Sequence, residues 1–297
     1  MTPGPVRCAQ RSPLDAHSSG HNSQRPRIID RFSDLAIERV WGEFEKIFSS
    51  IYPSRALDVL IKTGWIVHFP ELAAIIGIVQ DPVWHPEGSV EIHSGLAADA
   101  AAELANRLDL ETEQRVLLVC ASLLHDLGKA THTQVHDDGR VTAHGHAEAG
   151  VEPAQSFLRR IGAPLGLSDK VAPLVREHMC CASTEKPSVS AVKRLARRLS
   201  PASMREWAWV VEADNRARAT ASRQGCAGPW LEIAEREQVQ DNPVTAMLRG
   251  DHLIAFGMRP GPDFRPVLDD ALTAQEAGEF DDEVGARHWL NERLSNG

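Results

Sequence analysis

Apolar residues recur along this chain at helical rather than strand spacing. In RFSDLAIERVWGEFEKIFSS (31–50), Leu35, Val40, Phe44, Ile47 and Phe48 fall near one face, and Ser33 stands where an N-cap belongs. SRALDVLIKTGWIVHFPELAAIIGI (54–78) predicts a helix stopped at Gly64 and a short one after Pro70, and QDPVWHPEG (80–88) is a loop by its prolines and glycine. The clearest helical stretches follow, HSGLAADAAAELANRL (93–108) and ETEQRVLLVCASLLHDLGK (111–129). The polar run THTQVHDDGRVTAHG (131–145) predicts a loop or small hairpin turning at Asp138-Gly139. Helical pattern resumes in HAEAGVEPAQSFLRRIG, SDKVAPLVREHM, SVSAVKRLARRL and MREWAWVVEADNRARA. RQGCAGPW (223–230) reads as a linker to a tail that holds PVTAMLRGDHLIAFGM, the turn RPGPDF and an acidic end closing in EVGARHWLNERL. There is no internal repeat, and the chain reads as all-α.

Composition agrees. With one Tyr and eight Phe against abundant Ala and Leu, helix is favoured over sheet. At 297 residues, 42% hydrophobic and 25% charged, the chain can bury a sizeable core as one large domain or two smaller ones. A formal charge of -9 argues against a wholly basic nucleic-acid binder but permits a local basic groove. The five cysteines (Cys8, Cys120, Cys180, Cys181, Cys226) form no CxxC pair and read as free thiols in a reducing compartment. Cys180-Cys181 reads as a buried pair of small hydrophobes. No apolar run reaches the roughly 20 residues that span a membrane, and the N-terminus lacks an apolar signal core, so a cytoplasmic protein is expected. Residues 1–27, rich in Pro, Ser, Gly and Arg, are expected to be a disordered leader.

Seven of the thirteen histidines lie between His93 and His178. A single histidine in such a sequence reads as a surface or satisfied core residue. These stand together at helix ends. His93 opens one helix, His125-Asp126 close the next, His144 and His146 flank Gly145 at a loop–helix junction, and His178 ends another. Asp214 follows WAWVVEA on an apolar helix, where a lone carboxylate would be costly to bury. Imidazole mixed with carboxylate suits a divalent first-row metal with open positions, whereas a thiolate zinc site lacks its paired cysteines. Lys129 would point beside such a site and can offset phosphate charge; it reads equally as a surface lysine near a helix C-terminus.

These residues carry a resemblance. His93, His125-Asp126 in HDLGK, and Asp214 match the H…HD…D pattern of the HD-domain metal-dependent phosphohydrolase superfamily. HGHAEAG resembles its H-x-x-x-G element, with His146 and Gly150 in the matching places, and His178 falls where many members carry another histidine. The resemblance implies His93, His125, Asp126 and Asp214 as core metal ligands, with His146 and His178 for a second metal or the phosphate. It implies one or two divalent ions (Mn, Co, Ni, Mg or Fe), with Lys129, Asp126 and His146 in catalysis.

Residues 32 to 294 also resemble the neck, HD body and tail of the HD-bearing class of bacterial CCA-adding tRNA nucleotidyltransferases. That family's head carries a GGxxRD-type motif and a DxD strand. Neither occurs here; Asp269-Asp270 and Asp281-Asp282 are adjacent pairs in helical or acidic context, and about 30 residues precede the neck. The expectation is a headless body: leader 1–27, helical neck 28–84, HD domain 85–225, helical tail 226–297. Its implied activity is hydrolysis of a phosphomonoester or 2',3'-cyclic phosphodiester on a nucleotide or RNA end. The competing expectation is a non-catalytic tRNA- or RNA-binding module. For it, VKRLARRL sets Lys193, Arg194, Arg197 and Arg198 on one basic helix face, with Arg205, Arg216, Arg218 and Arg223 near; that face reads equally as a solvated one. The tail could mediate a homodimer. Trp207 and Trp209, two apart on a helix, cannot share one narrow face, so at least one packs the core.

Overall fold

The structure, a computed structural model, describes residues 28–182, 184, 186–218 and 225–295. The expected leader and Arg223 lie outside the described residues. The chain divides into two compact units, 1–34 and 35–297. In the first, Ile28–Asp34 is 3-10 helix. Among the described residues, the second holds every α-helix and one small hairpin.

Helices α1 (Ile37–Ser49), α2 (Pro53–Thr63) and α3 (Pro70–Ala73) come first. Helix α1 buries Val40, Phe44 and Phe48, an i, i+4, i+8 stripe, and Phe44 meets Phe69 and Phe157 edge-on at 4.9 and 5.3 Å. The expected cap at Ser33 is not used. The helix starts at Ile37, where Arg39 and Val40 donate their N–H groups to Ala36 O, and Leu35 is left exposed outside it. Leu35 extended the apolar pattern without belonging to the buried stripe. Gly64, at φ 81°, ends α2 in the left-handed conformation, as its place in the pattern predicts.

Helices α4 (Val90–Arg107) and α5 (Thr112–Leu124) form the centre with α11 (Met204–Ala217). Helix α4 presents Ala97, Ala98, Ala101, Ala102 and Ala105, all fully buried, so neighbouring backbones approach closely. Every residue of α5 from Val116 to Leu124 is buried, which is why its sequence is apolar all round rather than on one stripe. After α5 come α6 (Lys129–His132), the antiparallel hairpin β1 (Gln134–Val135) and β2 (Val141–Thr142), then α7 (His146–Ala149), α8 (Val151–Arg160), α9 (Leu165–Glu177) and α10 (Val189–Leu199). The hairpin lies where the Asp-Gly turn predicts one. Trp207 on α11 is fully buried and donates Nε1–H to Glu177 O at 2.9 Å, while Trp209 is half-buried.

The expected linker is partly wrong. Gly228–Trp230 is the first turn of α12 (Gly228–Arg236), and Trp230 packs on Trp207 with ring centroids 6.0 Å apart. Trp230 supplies the apolar anchor that a Gly- and Pro-containing run conceals. Helices α13 (Gly250–Ala255), α14 (Phe264–Ala277) and α15 (Glu283–Ser295) share a second apolar cluster around Leu253, Val267, Phe280 and Leu290.

The reading of all five cysteines as free is also corrected. Cys181 and Cys226 are disulfide-bonded, while Cys120 and Cys180 are free. The partners stand 45 residues apart, with Cα atoms 5.5 Å from each other, so folding rather than a local motif brings them together. Cys181 is buried but Cys180 only partly, so the pair is not one buried unit.

The basic face on α10 is largely spent within the chain. Lys193 pairs with Glu237 at 3.1 Å, Arg197 with Glu276 at 3.3 Å, and Arg198 with both carboxylate oxygens of Glu177 at 2.8 and 2.9 Å. Arg194 bonds the Ser190 hydroxyl. The face meets α12, α14 and the end of α9, so it is neither a wholly solvated face nor an open row of cations.

Candidate metal centre

Three of the four site histidines are aimed by the same local device, an Nδ1–H bond to the backbone carbonyl three residues earlier. The last carbonyls of a helix lack intrahelical partners. His125, capping α5, donates Nδ1–H to Ser122 O at 2.7 Å, and His178, capping α9, donates to Val175 O at 2.7 Å. His146, first residue of α7, does the same to Ala143 O at 2.7 Å. His93, in the first turn of α4, donates Nδ1–H to the Glu87 carboxylate at 2.7 Å. With each Nδ1 engaged as a donor, each ring turns its Nε2 inward. Gly145, at φ 81°, makes the turn that buries His146 and leaves His144 exposed at the rim.

The four Nε2 atoms converge on two carboxylates. His93 and His125 lie 3.7 and 3.2 Å from Asp126 Oδ2, and 3.0 and 3.7 Å from Asp214 Oδ1. His146 and His178 lie 3.1 and 3.7 Å from the other Asp126 oxygen, Oδ1, and 3.2 Å from each other. All six residues are buried. Donor atoms of His93, His125 and Asp214, and of His125, Asp126 and His178, lie within 4.8 Å of one another, a spacing that could hold a metal ion. His125 Nε2 and both Asp126 oxygens are buried without a well-aligned hydrogen bond, although the Lys129 ammonium lies 2.7 Å from Asp126 Oδ2. Imidazole nitrogens converging on buried carboxylates at these spacings, several of them without a well-aligned hydrogen bond, form a donor set that fits a divalent ion.

Lys129 is not a surface lysine. It is buried, with Nζ 2.7 Å from Asp126 Oδ2 and donating to Gln80 Oε1 at 2.8 Å. Four participants were missed from sequence. Glu87 Oε1 accepts from both His93 and His85, the latter at 2.8 Å; Gln80 holds Lys129; and Arg218 bonds both Asp214 oxygens at 3.1 and 2.8 Å. Arg218 was counted among the basic residues for RNA, and here it neutralises a candidate ligand. The signal for His85 and Glu87 is the HPE run in the loop before His93, a stretch whose prolines and glycine predict a loop and whose resemblance marks the lead into the HD helix without assigning either residue a role. The centre floors a cleft of about 970 Å³ whose lining includes Trp84, Lys129, His146 and Arg218.

Electrostatics separate the histidines. Burial opposes protonation of His93, but its hydrogen bonds to Asp214 and Glu87 outweigh that and raise its pKa to about 9. Burial, with the neighbouring His125 and His146, lowers His178 to about 3. Burial also works against ionised Glu87, yet hydrogen bonds led by the one from His93 hold it at about 2. Asp126 and Asp214 lie well below the usual carboxylate range: burial opposes this, while the histidines with Lys129 and Arg218 respectively overcome it. His178 thus keeps its lone pair at any working pH, whereas a cation must displace a proton from His93.

The sign follows. A raised His93 pKa favours the protonated metal-free site below the ordinary value near 6.5, and this is lost as pH rises through about 9. Apparent affinity for Mn should therefore climb about tenfold per pH unit through neutrality and flatten above about pH 9. Competition titration with a chelating dye from pH 6.5 to 9.5 measures it; a flat profile would exclude proton displacement at His93.

Residues 90–217, from the first residue of α4 to the last of α11, match the family described as HD domain, and every candidate ligand lies inside them. Residues 26–76 match the family described as the probable RNA and SrmB-binding site of polymerase A. Residues 90–217 are therefore similar to the HD domain, a helical fold that at the superfamily level belongs to divalent-metal-dependent phosphohydrolases, and residues 26–76 to that second family. Its relatives are multifunctional CCA proteins. It is 36% identical to that of Halorhodospira halophila over 52% of this chain and 35% of the relative. For Cupriavidus metallidurans the figures are 30%, 65% and 45%, and for Xanthomonas campestris 31%, 62% and 44%. The chain thus spans less than half the length of these relatives. Among the described residues no helix is long and apolar enough to cross a membrane.

Proposed function

We propose that this chain is a metal-dependent phosphohydrolase acting on a nucleotide or RNA end, on a phosphomonoester or a 2',3'-cyclic phosphodiester. The observation that carries the reading is the inward set of four Nε2 atoms on two buried carboxylates, with Asp126 offering one oxygen to each half. His93, His125, Asp126 and Asp214 would hold one divalent ion, and His146 and His178 with Asp126 a second. Such ions lower the pKa of water and neutralise phosphoryl oxygens. Lys129, fixed by Gln80 and Asp126, presents its ammonium at the cleft to offset phosphate charge. Glu87 and Arg218 hold His93 and Asp214 in register. A nucleotide or RNA substrate is supported by the match of residues 26–76 and by the names of the relatives.

That same match favours a second reading, a tRNA- or RNA-binding module without chemistry. Keeping two buried carboxylates among four histidines would then be a cost with no return. Assays of 2',3'-cyclic nucleotides and nucleoside monophosphates with Mn, Co, Ni or Mg, and with chelator, separate the two. Turnover that needs the metal is expected. Bound metal with no turnover of any phosphate ester, alongside RNA affinity that falls steeply with salt, would favour the binding module.

A further inference from the structure

We propose that His85 is a positioning residue of the metal centre: its Nδ1–H fixes the Glu87 carboxylate, and through that carboxylate it sets the ring of His93 toward the ion. The proposal rests on the metal-dependent reading above and adds to it a residue outside the donor set.

Glu87 stands between the two rings. Its Oε1 accepts from His93 Nδ1 at 2.7 Å and from His85 Nδ1 at 2.8 Å. An ionised carboxylate only accepts, so both imidazoles donate to the same oxygen. The other oxygen, Oε2, is buried without a well-aligned hydrogen bond. With one N–H alone, the carboxylate is free to turn about its last bond and offer either oxygen to His93. The second N–H, from His85, selects Oε1 and opposes that turning. The side chains of Glu87 and His85 are 3% and 10% exposed, so little water competes for these bonds.

His85 is itself held from elsewhere, which lets it serve as a fixed point. Its backbone N–H donates to Asp81 O at 2.8 Å, and its carbonyl accepts from Gly88 N–H at 3.2 Å. Gln80 donates Nε2–H to Gly88 O at 3.1 Å, and Val90 N–H donates to Ile78 O at 3.0 Å, closing the base of the loop. The loop is thus bonded on both sides of His85 before Glu87 is counted.

Two contacts run from His85 to His93. One passes through Glu87. The other is direct, since the rings lie edge to face with centroids 4.6 Å apart and planes at 81°. The directional bond sets which nitrogen of His93 carries the proton and how its plane lies, whereas an edge contact tolerates sliding. The Glu87 route is therefore the one that aims His93 Nε2.

Two substitutions separate the routes. His85→Asn keeps a side-chain N–H donor and removes the ring, while His85→Phe keeps a ring and removes the donor. The readout is Mn affinity at one fixed pH, by competition with a chelating dye, beside melting of the metal-free chain. His85→Phe should weaken Mn binding about 10–100-fold, and His85→Asn should hold it within about threefold of wild type. In a Glu87→Ala background His85→Phe should bring no further loss, which keeps the comparison decisive if either single variant also melts lower. Equal losses in the two variants, a loss in His85→Asn alone, or an undiminished effect without Glu87 would overturn this role. A wild type that hydrolyses no phosphate ester, with Mn affinity lost in His85→Phe and kept in His85→Asn, would retire the hydrolytic reading and leave His85 in its place.

Discussion

Asp126→Ala is expected to strip the chain of divalent metal and to lower metal-dependent hydrolysis by about 10³-fold or more. Among the described residues, Asp126 is the one carboxylate in reach of all four histidines, with Oδ2 toward His93 and His125 and Oδ1 toward His146 and His178. Both halves of the candidate centre lose their shared carboxylate when it is removed. A metal's electrostatic share of a phosphoryl transition state is several kcal/mol, and each ~1.4 kcal/mol is a factor of ten, which gives the magnitude. His178→Ala, by contrast, should leave one ion in place, because His93, His125, Asp126 and Asp214 remain. Elemental analysis of the two variants beside the activity assay measures the difference. Wild-type metal content in Asp126→Ala would remove this residue from the ligand set.

Gly128→Ala should be nearly as damaging, although residue 128 carries no chemistry. Its backbone is ordinary right-handed helix at φ -67°, so alanine is not excluded there by conformation. The obstacle is space. A Cβ at 128 would stand 2.0 Å from His146 O and 2.6 Å from Gly150 N, both backbone atoms of the segment that carries His146. To admit the methyl group, α7 must withdraw, and His146 withdraws with it. Overpacking of this kind costs about 1–3 kcal/mol of stability. A displacement of about 1 Å at a catalytic centre costs about 100-fold in rate. Gly42→Ala, on α1 with nothing within 4 Å of the new methyl, should instead stabilise the chain by about 0.5–1 kcal/mol. Thermal melts and kcat for the two variants test the contrast; a Gly128→Ala chain with wild-type melting and turnover would refute the packing argument.

That contact explains a pairing in the sequence. The glycine of HDLGK and the glycine of HAEAG belong to separate motifs, yet Gly128 and Gly150 face each other, and a Cβ on either would press on the other's backbone nitrogen. Both are small because α6 and α7 cross there, and the crossing seats His146 against Asp126.

Several features were open to reading along the chain because their causes are local. The all-α class follows from a 3.6-residue apolar period, and the hairpin from an Asp-Gly turn between polar residues. Residue type and helix ends drew attention to the histidines between His93 and His178, and the resemblance to the H…HD…D pattern singled out His93, His125, Asp126, His146, His178 and Asp214. The capping of Ser122 and Val175 carbonyls by histidines three residues later is local in the same sense.

What only the tertiary structure decided depends on residues far apart in sequence. His93 meets Asp214 across 121 positions, and Lys129 meets Gln80 across 49. Cys181 finds Cys226, and the cations of α10 find Glu177, Glu237 and Glu276, turning an apparent basic face into a set of internal ion pairs. Local sequence carries the preferences of backbone and side chain over a few residues. Which distant groups meet is set by how helices pack, because the apolar faces that drive packing are much alike and only their mutual fit selects the partners. The sequence alone therefore determined a helical chain with a set of imidazole and carboxylate donors suited to a divalent metal, and the packing of α4, α5, α9 and α11 decided that those donors converge.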